Sequence, residues 1–182
     1  SKKIKPYFER KVKEAFQKAR KTPNPLKHQI ESKDYVDCLN NIHDSTIYAD
    51  PPYCFVHYSR FYHALETMVL YDYPALQEKD GKIVKGRYRV DRHQSPFCIR
   101  TMVEDAFKNI FSIVKTNNCS LVLSYSDTGM IPITKLRELA LLYFDKKQIK
   151  IKSLDHFHMT MGRKEDHKRD VKEKLMIIKN QK

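Results

Sequence analysis

The stretch STIYADPPYCFVHYSRFYHALE, Ser45 to Glu66, places two adjacent prolines inside an otherwise apolar and aromatic run. TIYAD reads as a short buried strand. Pro51 and Pro52 stop it, because proline lacks the N–H that a strand ladder needs and fixes its own φ. The following SRFYHALETMVLYD, residues 59 to 72, carries Phe61, Leu65, Met68, Val69 and Tyr71 at spacings that suit a helix. Ser59 is its expected N-cap, and Pro74 is expected to close it. A strand that ends in a rigid turn and feeds a helix is a unit of α/β architecture.

The segments on either side extend this pattern. Upstream, YFERKVKEAFQKAR (residues 7 to 20) has Tyr7, Phe8, Val12 and Phe16 in a rough helical stripe with a basic opposite face, ended by the prolines of KTPNPLKH. IESKDYVDCLNNI (30 to 42) reads as a strand followed by a helical turn. Downstream, residues 76 to 96 are polar, basic and glycine-containing, and read as a loop insertion. RTMVEDAFKNIFSIVK (100 to 115) has strong helical spacing at Met102, Val103, Ala106, Phe107, Ile110, Phe111 and Val114. CSLVLSYS is a buried strand, and PITKLRELALLYF a helix with Pro132 near its first turn. KQIKIKSLDHF alternates as a half-exposed strand, MGRKEDHKRD is a charged connection, and EKLMIIK is a final strand.

This order predicts an α/β sheet with helices on both faces and an antiparallel last strand pair, resembling one half of a doubly wound fold. The expected division is a basic helix with a proline-containing linker over residues 1–29 and a sheet-forming part over 30–182, with the basic insertion at 76–96.

Composition narrows the classes. A hydrophobic fraction of 41% over 182 residues supports a packed core rather than disorder. The net charge of +13 suits a polyanionic partner such as nucleic acid, the alternative being a solvated basic surface. No apolar run is long enough for a bilayer, and the charged start SKKIKPYFERKVKEAF lacks the apolar centre of a signal peptide. Four cysteines without a CxxC pair point to reduced thiols in the cytoplasm and away from a zinc site. The glycines at 81, 86, 129 and 162 are isolated and form no phosphate-cradling loop.

The chemistry resides in Asp50-Pro51-Pro52-Tyr53. Ligands of open α/β sheets bind at the carboxyl ends of strands. There, the prolines hold their carbonyls at fixed positions as acceptors, Asp50 adds a carboxylate, and Tyr53 adds a ring. Two acceptors beside a stacking face suit a planar group with an exocyclic NH2. A rigid turn with no chemistry is the alternative for the motif taken alone.

IYADPPY resembles the catalytic motif of the amino-methyltransferases, which modify adenine N6 or cytosine N4 in DNA. KDYVDCLNNIHDSTIYADPPY is similar to the Dam-like adenine enzymes, LVLSYSD (121 to 127) resembles their next strand, and HMTMGR…VKEKLMII resembles their closing strand pair. The likeness spans roughly residues 30 to 180. It implies the C-terminal half of a Rossmann-like methyltransferase sheet, with S-adenosyl-L-methionine as methyl donor and double-stranded DNA as substrate. A flipped-out adenine would stack on Tyr53 while Asp50 and the Pro51 carbonyl hold its amino group. It also implies that Asp34 and Tyr35 lie against the cofactor, a turn acid and a core ring being their alternative.

His57, Tyr58 and Arg60, just after the motif, and Arg87, Arg89 and Arg92 in KGRYRVDRHQSPFCIR are the expected DNA contacts, the alternatives being core packing and a solvated loop. No metal is expected at His57 or His63. His156 and His158 read as a surface pair. The family's glycine-containing cofactor turn has no counterpart in residues 1–182. The expectation is therefore a longer enzyme's C-terminal portion or a subunit whose partner supplies that turn, acting on bacterial or phage DNA in the cytoplasm. A non-catalytic DNA-binding or partner module, and a cytosine-N4 or RNA amino-methyltransferase, are the competing readings.

Overall fold

The computed structural model describes residues 4–21, 29–158 and 169–180. KTPNPLKH beyond Lys21 and MGRKEDHKRD up to Lys168 lie outside the described residues, as do the side chains of Phe8, His156 and His158. The chain divides into two compact units, Ser1–Lys33 and Asp34–Lys182. In the first, α1 (Ile4–Lys21) is a basic helix whose Tyr7 and Phe16 are exposed; Glu14 pairs with Lys11, and Arg10 lies over the Tyr7 ring.

The second unit is a mixed α/β layer. In chain order it comprises α2 (Tyr35–Asn40), β1 (Thr46–Ala49), α3 (Ser59–Leu70), β2 (Glu78–Lys79), β3 (Lys82–Ile83), α4 (Val103–Thr116), β4 (Ser120–Ser126), α5 (Ile133–Leu141), β5 (Ile149–His158) and β6 (Arg169–Ile178). Four strands form one sheet in the order β1-β4-β6-β5. β1 runs parallel to β4, whereas β6 is antiparallel to both β4 and β5. The antiparallel last pair is therefore as expected from the sequence.

The core follows from the two periodicities. On α4, Val103, Ala106, Phe107, Ile110, Phe111 and Val114 share one face and are all buried. Glu104 and Asp105 in its first turn and Lys115 in its last suit the helix dipole. That face meets Leu39 of α2, Leu136, Leu139 and Ala140 of α5, and alternate sheet residues: Ile47, Leu121, Leu123, Tyr125, Met176 and Ile178. The register places Ile47 beside Leu121 and Leu121 beside Ile178, so these side chains form one row across three strands.

The start of the parallel pair is pinned by polar bonds. Asn117 donates from its side chain to the Leu39 and Ile42 carbonyls at 3.0 and 2.9 Å, closing the end of α2. Asp44 and Asn118 both take left-handed φ, at 46° and 53°, and the Asn118 amide donates to the Asp44 carboxylate at 2.6 Å. Asp and Asn tolerate that region better than other residues with a Cβ.

Several expectations are corrected. No strand forms over residues 30–34; Asp34 caps α2 instead, accepting the Val36 N–H at 2.9 Å. Ser59 is the first residue of α3 rather than its N-cap, and its hydroxyl donates to the His93 carbonyl. α3 ends at a left-handed Tyr71, ahead of Pro74.

The 76–96 insertion is not featureless: β2 and β3 form a hairpin turned by Asp80 and Gly81, both at positive φ. Asp-Gly at positive φ matches the twist of a two-residue hairpin turn. Helices on both faces are also not found among the described residues. The buried residues of α2, α4 and α5 all join the single cluster on one face of the sheet. On the other face Tyr48 is 63% exposed, and α3 buries no residue at all. The apolar side chains of α3 are not confined to one stripe: Phe61, Leu65, Met68, Val69 and Leu70 are all exposed.

Candidate active site

Asp50 leaves the carboxyl end of β1, where the parallel neighbour β4 continues past it. Pro51 is buried, Pro52 and Tyr53 are half-buried, and Asp50 is exposed. The turn is clamped by the β4–α5 connection. Met130 N–H donates to the Tyr53 carbonyl at 2.9 Å, and the Tyr53 ring meets the edge of Tyr125 with centroids 6.4 Å apart. Tyr125 is 1% exposed, and its hydroxyl accepts the Ile131 N–H at 3.3 Å. Gly129 makes this close wrap feasible, because a Cβ there would fall on the Tyr125 ring. The Asp50–Tyr53 turn is thus fixed both through its backbone and through its ring.

The electrostatics are those of a partly dry acidic site. Burial first, and the charge of Glu173 second, hold the Asp50 carboxyl above the usual carboxylate range. Burial, followed by the neighbouring Tyr58, Cys54, Asp50 and Glu173, pushes the Tyr53 hydroxyl up to about 12. Tyr53 is therefore a neutral phenol at any working pH, with a face that suits stacking. Burial likewise raises Tyr58.

Asp34 and Tyr35 stand at the head of α2, and the Tyr35 ring packs edge-on to Phe97 at 5.1 Å. From there, ring contacts run without a gap: Phe97 to Phe107 at 5.1 Å, Phe107 to Tyr125 at 5.4 Å, and Tyr125 to Tyr53. The two segments singled out in the sequence are the ends of one aromatic series.

The expected DNA-contacting residues separate into two groups. Arg60 and Arg92 flank the Tyr88 ring, at 4.9 and 5.8 Å from its centroid, and His63 meets it at 5.2 Å. This cluster adjoins a cavity of about 280 Å³ between α3 and the insertion, lined by Ser59, Tyr62, His63, Glu66 and Arg92 among others. Arg60 and Arg87 are exposed, and Tyr58 is 54% exposed.

Arg89 faces inward. It is 5% exposed and donates both terminal nitrogens to Asp72 at 2.7 Å, with Asp91 and Thr67 as further partners. Its position is that of a pin joining the end of α3 to the insertion rather than of a free surface cation. His57 is half-buried, with Nδ1 unpartnered among the described residues. Burial and then the charges of Arg92, His93 and Arg60 keep it from protonating at its ordinary pH.

Sequence reasoning missed Ser124, Gly129, Met130 and Glu173, which reach the motif only through sheet register and a loop. It placed Tyr125 within a matching strand without assigning it a role.

Residues 1–139 match the family model of the D12 class N6 adenine-specific DNA methyltransferases. The chain belongs to that family. Among curated relatives, modification methylase LlaI of Lactococcus lactis subsp. lactis is 31% identical over 102 residues, covering 56% of this chain and 15% of that protein. The type II methyltransferase M.FokI of Planomicrobium okeanokoites is 32% identical over 108 residues, covering 59% and 16%. M.NlaIII of Neisseria lactamica is 28% identical over 112 residues, covering 62% and 31%. The chain thus spans less than a third of the length of each of these relatives. No solved structure matches it.

Proposed function

We propose that this chain is the catalytic portion of a site-specific DNA adenine-N6 methyltransferase of the restriction-modification type, acting in the bacterial cytoplasm. The observation that carries the reading is a rigid Asp50-Pro51-Pro52-Tyr53 turn at the carboxyl end of a parallel strand in a D12 family chain. A Rossmann-like sheet completed by further sequence accords with two features. On the sheet face away from the core Tyr48 is 63% exposed, and the apolar residues of α3 are exposed, Met68 at 72% and Val69 at 81%. Large uncovered apolar surfaces mark interaction sites. The completing element is a preceding segment or a partner subunit, which also supplies the glycine-containing cofactor turn.

S-adenosylmethionine, when bound, supplies an electrophilic methyl group. The donor set fits a nucleoside-bearing cofactor. Asp34 uses one carboxylate oxygen on the first turn of α2 and keeps the other for a hydroxyl or amine. Half-buried Tyr35 offers a ring backed by Phe97.

The remaining roles belong to this chain. Tyr53, neutral and braced by Tyr125, stacks on the extruded base; such stacking is worth ~1–3 kcal/mol per base. The Asp50 carboxylate and the Pro51 carbonyl accept the two amino hydrogens, orienting the nitrogen lone pair and raising its electron density. Braced acceptors need no reorganisation during reaction, so most of the acceleration is positioning. Arg60, Arg87 and Arg92, with His57 and Tyr58, form the DNA-facing side next to the turn.

The test is Asp50→Ala in the longer enzyme or in the chain reconstituted with its completing segment, followed by transfer of labelled methyl to duplex DNA. Methylation is lost while salt-dependent DNA binding persists. Unchanged methylation would sink the reading. RNA as the preferred methyl acceptor would shift it to another substrate class.

A further inference from the structure

Once methylated, the exocyclic nitrogen of the base is positively charged and has to lose a proton. Three strands converge where that proton would go. Ala49 lies opposite Leu123, so Asp50 emerges beside Ser124 on the sheet face turned away from the helical core. Ser124 is only 4% exposed, and its hydroxyl donates to the carboxylate of Glu173, which lies across from Ser126 on β6. Cross-strand neighbours on one face are within reach of long side chains, and alternation places Ser124, Ser126 and Glu173 on the same face.

Glu173 makes no ion pair among the described residues, and neither does Asp50. The other titratable groups around Asp50 are the hydroxyls of Tyr53 and Tyr58, both neutral over the working range.

We propose that Glu173 acts through Asp50 as a positioning residue for the proton-transfer step: tied down by Ser124, its carboxylate makes Asp50 the group that collects the proton of the methylated amine. This rests on the amino-methyl transfer proposed above. The step balances internally. One N–H bond breaks and leaves its electron pair on nitrogen, an O–H bond forms on Asp50, and cation and anion are neutralised together. Asp50 returns the proton to solvent after the product leaves. A second carboxylate favours this because two nearby negative charges retain a proton more readily than one. The raised Asp50 carboxyl, with Glu173 as the second cause after burial, agrees with the arrangement.

The experiment follows the Asp50 carboxyl carbon by NMR through an acid titration of the 182-residue chain, with Asp50→Asn to assign the signal. In Glu173→Gln, whose amide oxygen still accepts the Ser124 hydroxyl, the Asp50 midpoint falls while the melting temperature is nearly unchanged. Should that variant fail to fold, Ser124→Ala, which frees Glu173 to turn into solvent, lowers the Asp50 midpoint by the same coupling. An Asp50 midpoint unmoved in a folded variant overturns the proposal.

In the longer enzyme, Glu173→Gln moves the acid limb of the kcat/KM profile to lower pH. It slows single-turnover methylation roughly tenfold, less than the 10²–10⁴ expected for a group that itself transfers the proton. An enzyme that never methylates defeats the reading of its function, whereas the titration still decides the coupling.

Discussion

Gly129→Ala is the sharpest probe of how the catalytic turn is held. A Cβ at residue 129 would lie 2.6 Å from the Tyr125 hydroxyl oxygen and nearer still to ring carbons, whereas ordinary contact begins at 3.4 Å. The difference, 3.4 minus 2.6, requires Tyr125 or the loop to move by at least 0.8 Å. Tyr125 cannot retreat freely, because it is 1% exposed and backed by Phe107 at 5.4 Å. Overpacking of this kind costs roughly 1–3 kcal/mol. The displacement reaches Tyr53 by two routes, through its ring contact with Tyr125 and through the Met130 N–H to its carbonyl.

A misplacement near 1 Å at a reacting geometry costs on the order of 10²-fold in rate. The expected outcome is thus a modest loss in denaturant midpoint with a disproportionate loss of single-turnover methylation in the longer enzyme. Tyr125→Phe is the control: it keeps the ring, loses the hydroxyl that accepts the Ile131 N–H, and costs about 1–3 kcal/mol with a smaller effect on rate than Gly129→Ala. If Gly129→Ala methylates at the parental rate and melts at the parental temperature, the clamp reasoning is wrong.

Two further predictions concern stability. Phe107→Ala removes a fully buried ring that contacts Phe97, Phe111 and Tyr125, and should cost about 3–5 kcal/mol by urea denaturation; a loss well under that range would mean that the ring series is not the centre of the core. His57 is held below its ordinary 6.5, so the folded state binds fewer protons than the unfolded chain, and stability falls as pH drops through 6.5 toward the folded value. His57→Gln should flatten that decline, and urea midpoints with the parental pH slope would rule it out.

Much of this architecture was legible because its periods are clean. α4 repeats its apolar residues at helical spacing, and β4 is a short apolar run of buried-strand type, so both were readable from residues alone. The Asp50-Pro51-Pro52-Tyr53 turn was legible because its two prolines stop the apolar strand before them. The insertion was misread because its polar composition masked Asp80-Gly81, whose positive φ values make the hairpin. Arg89 looked like a phosphate contact since nothing local announces Asp72, which lies 17 residues earlier in the sequence. Ser124 and Glu173, 49 residues apart, meet only through antiparallel register, which no spacing within one segment encodes. α3 was correctly read as a helix, but its apolar residues do not join the core of this unit, none of them being buried.

The ring series from Tyr35 to Tyr53 also limits how such an enzyme is free to diversify. Its inner members are core residues, so the walls of the acceptor pocket and the interior of the fold are built from the same side chains. Resizing the surroundings of Tyr53 to admit a different base would draw directly on folding stability, and filling Phe97 differently would be felt at Tyr35 and, through Phe107 and Tyr125, at Tyr53. On the proposed function, changes in which DNA sequence is read are cheaper at exposed Arg60 and Arg87, which lie outside that series. On the proposed function, the chemistry is anchored in the buried part of the molecule, while Arg60 and Arg87, proposed to meet DNA, are exposed.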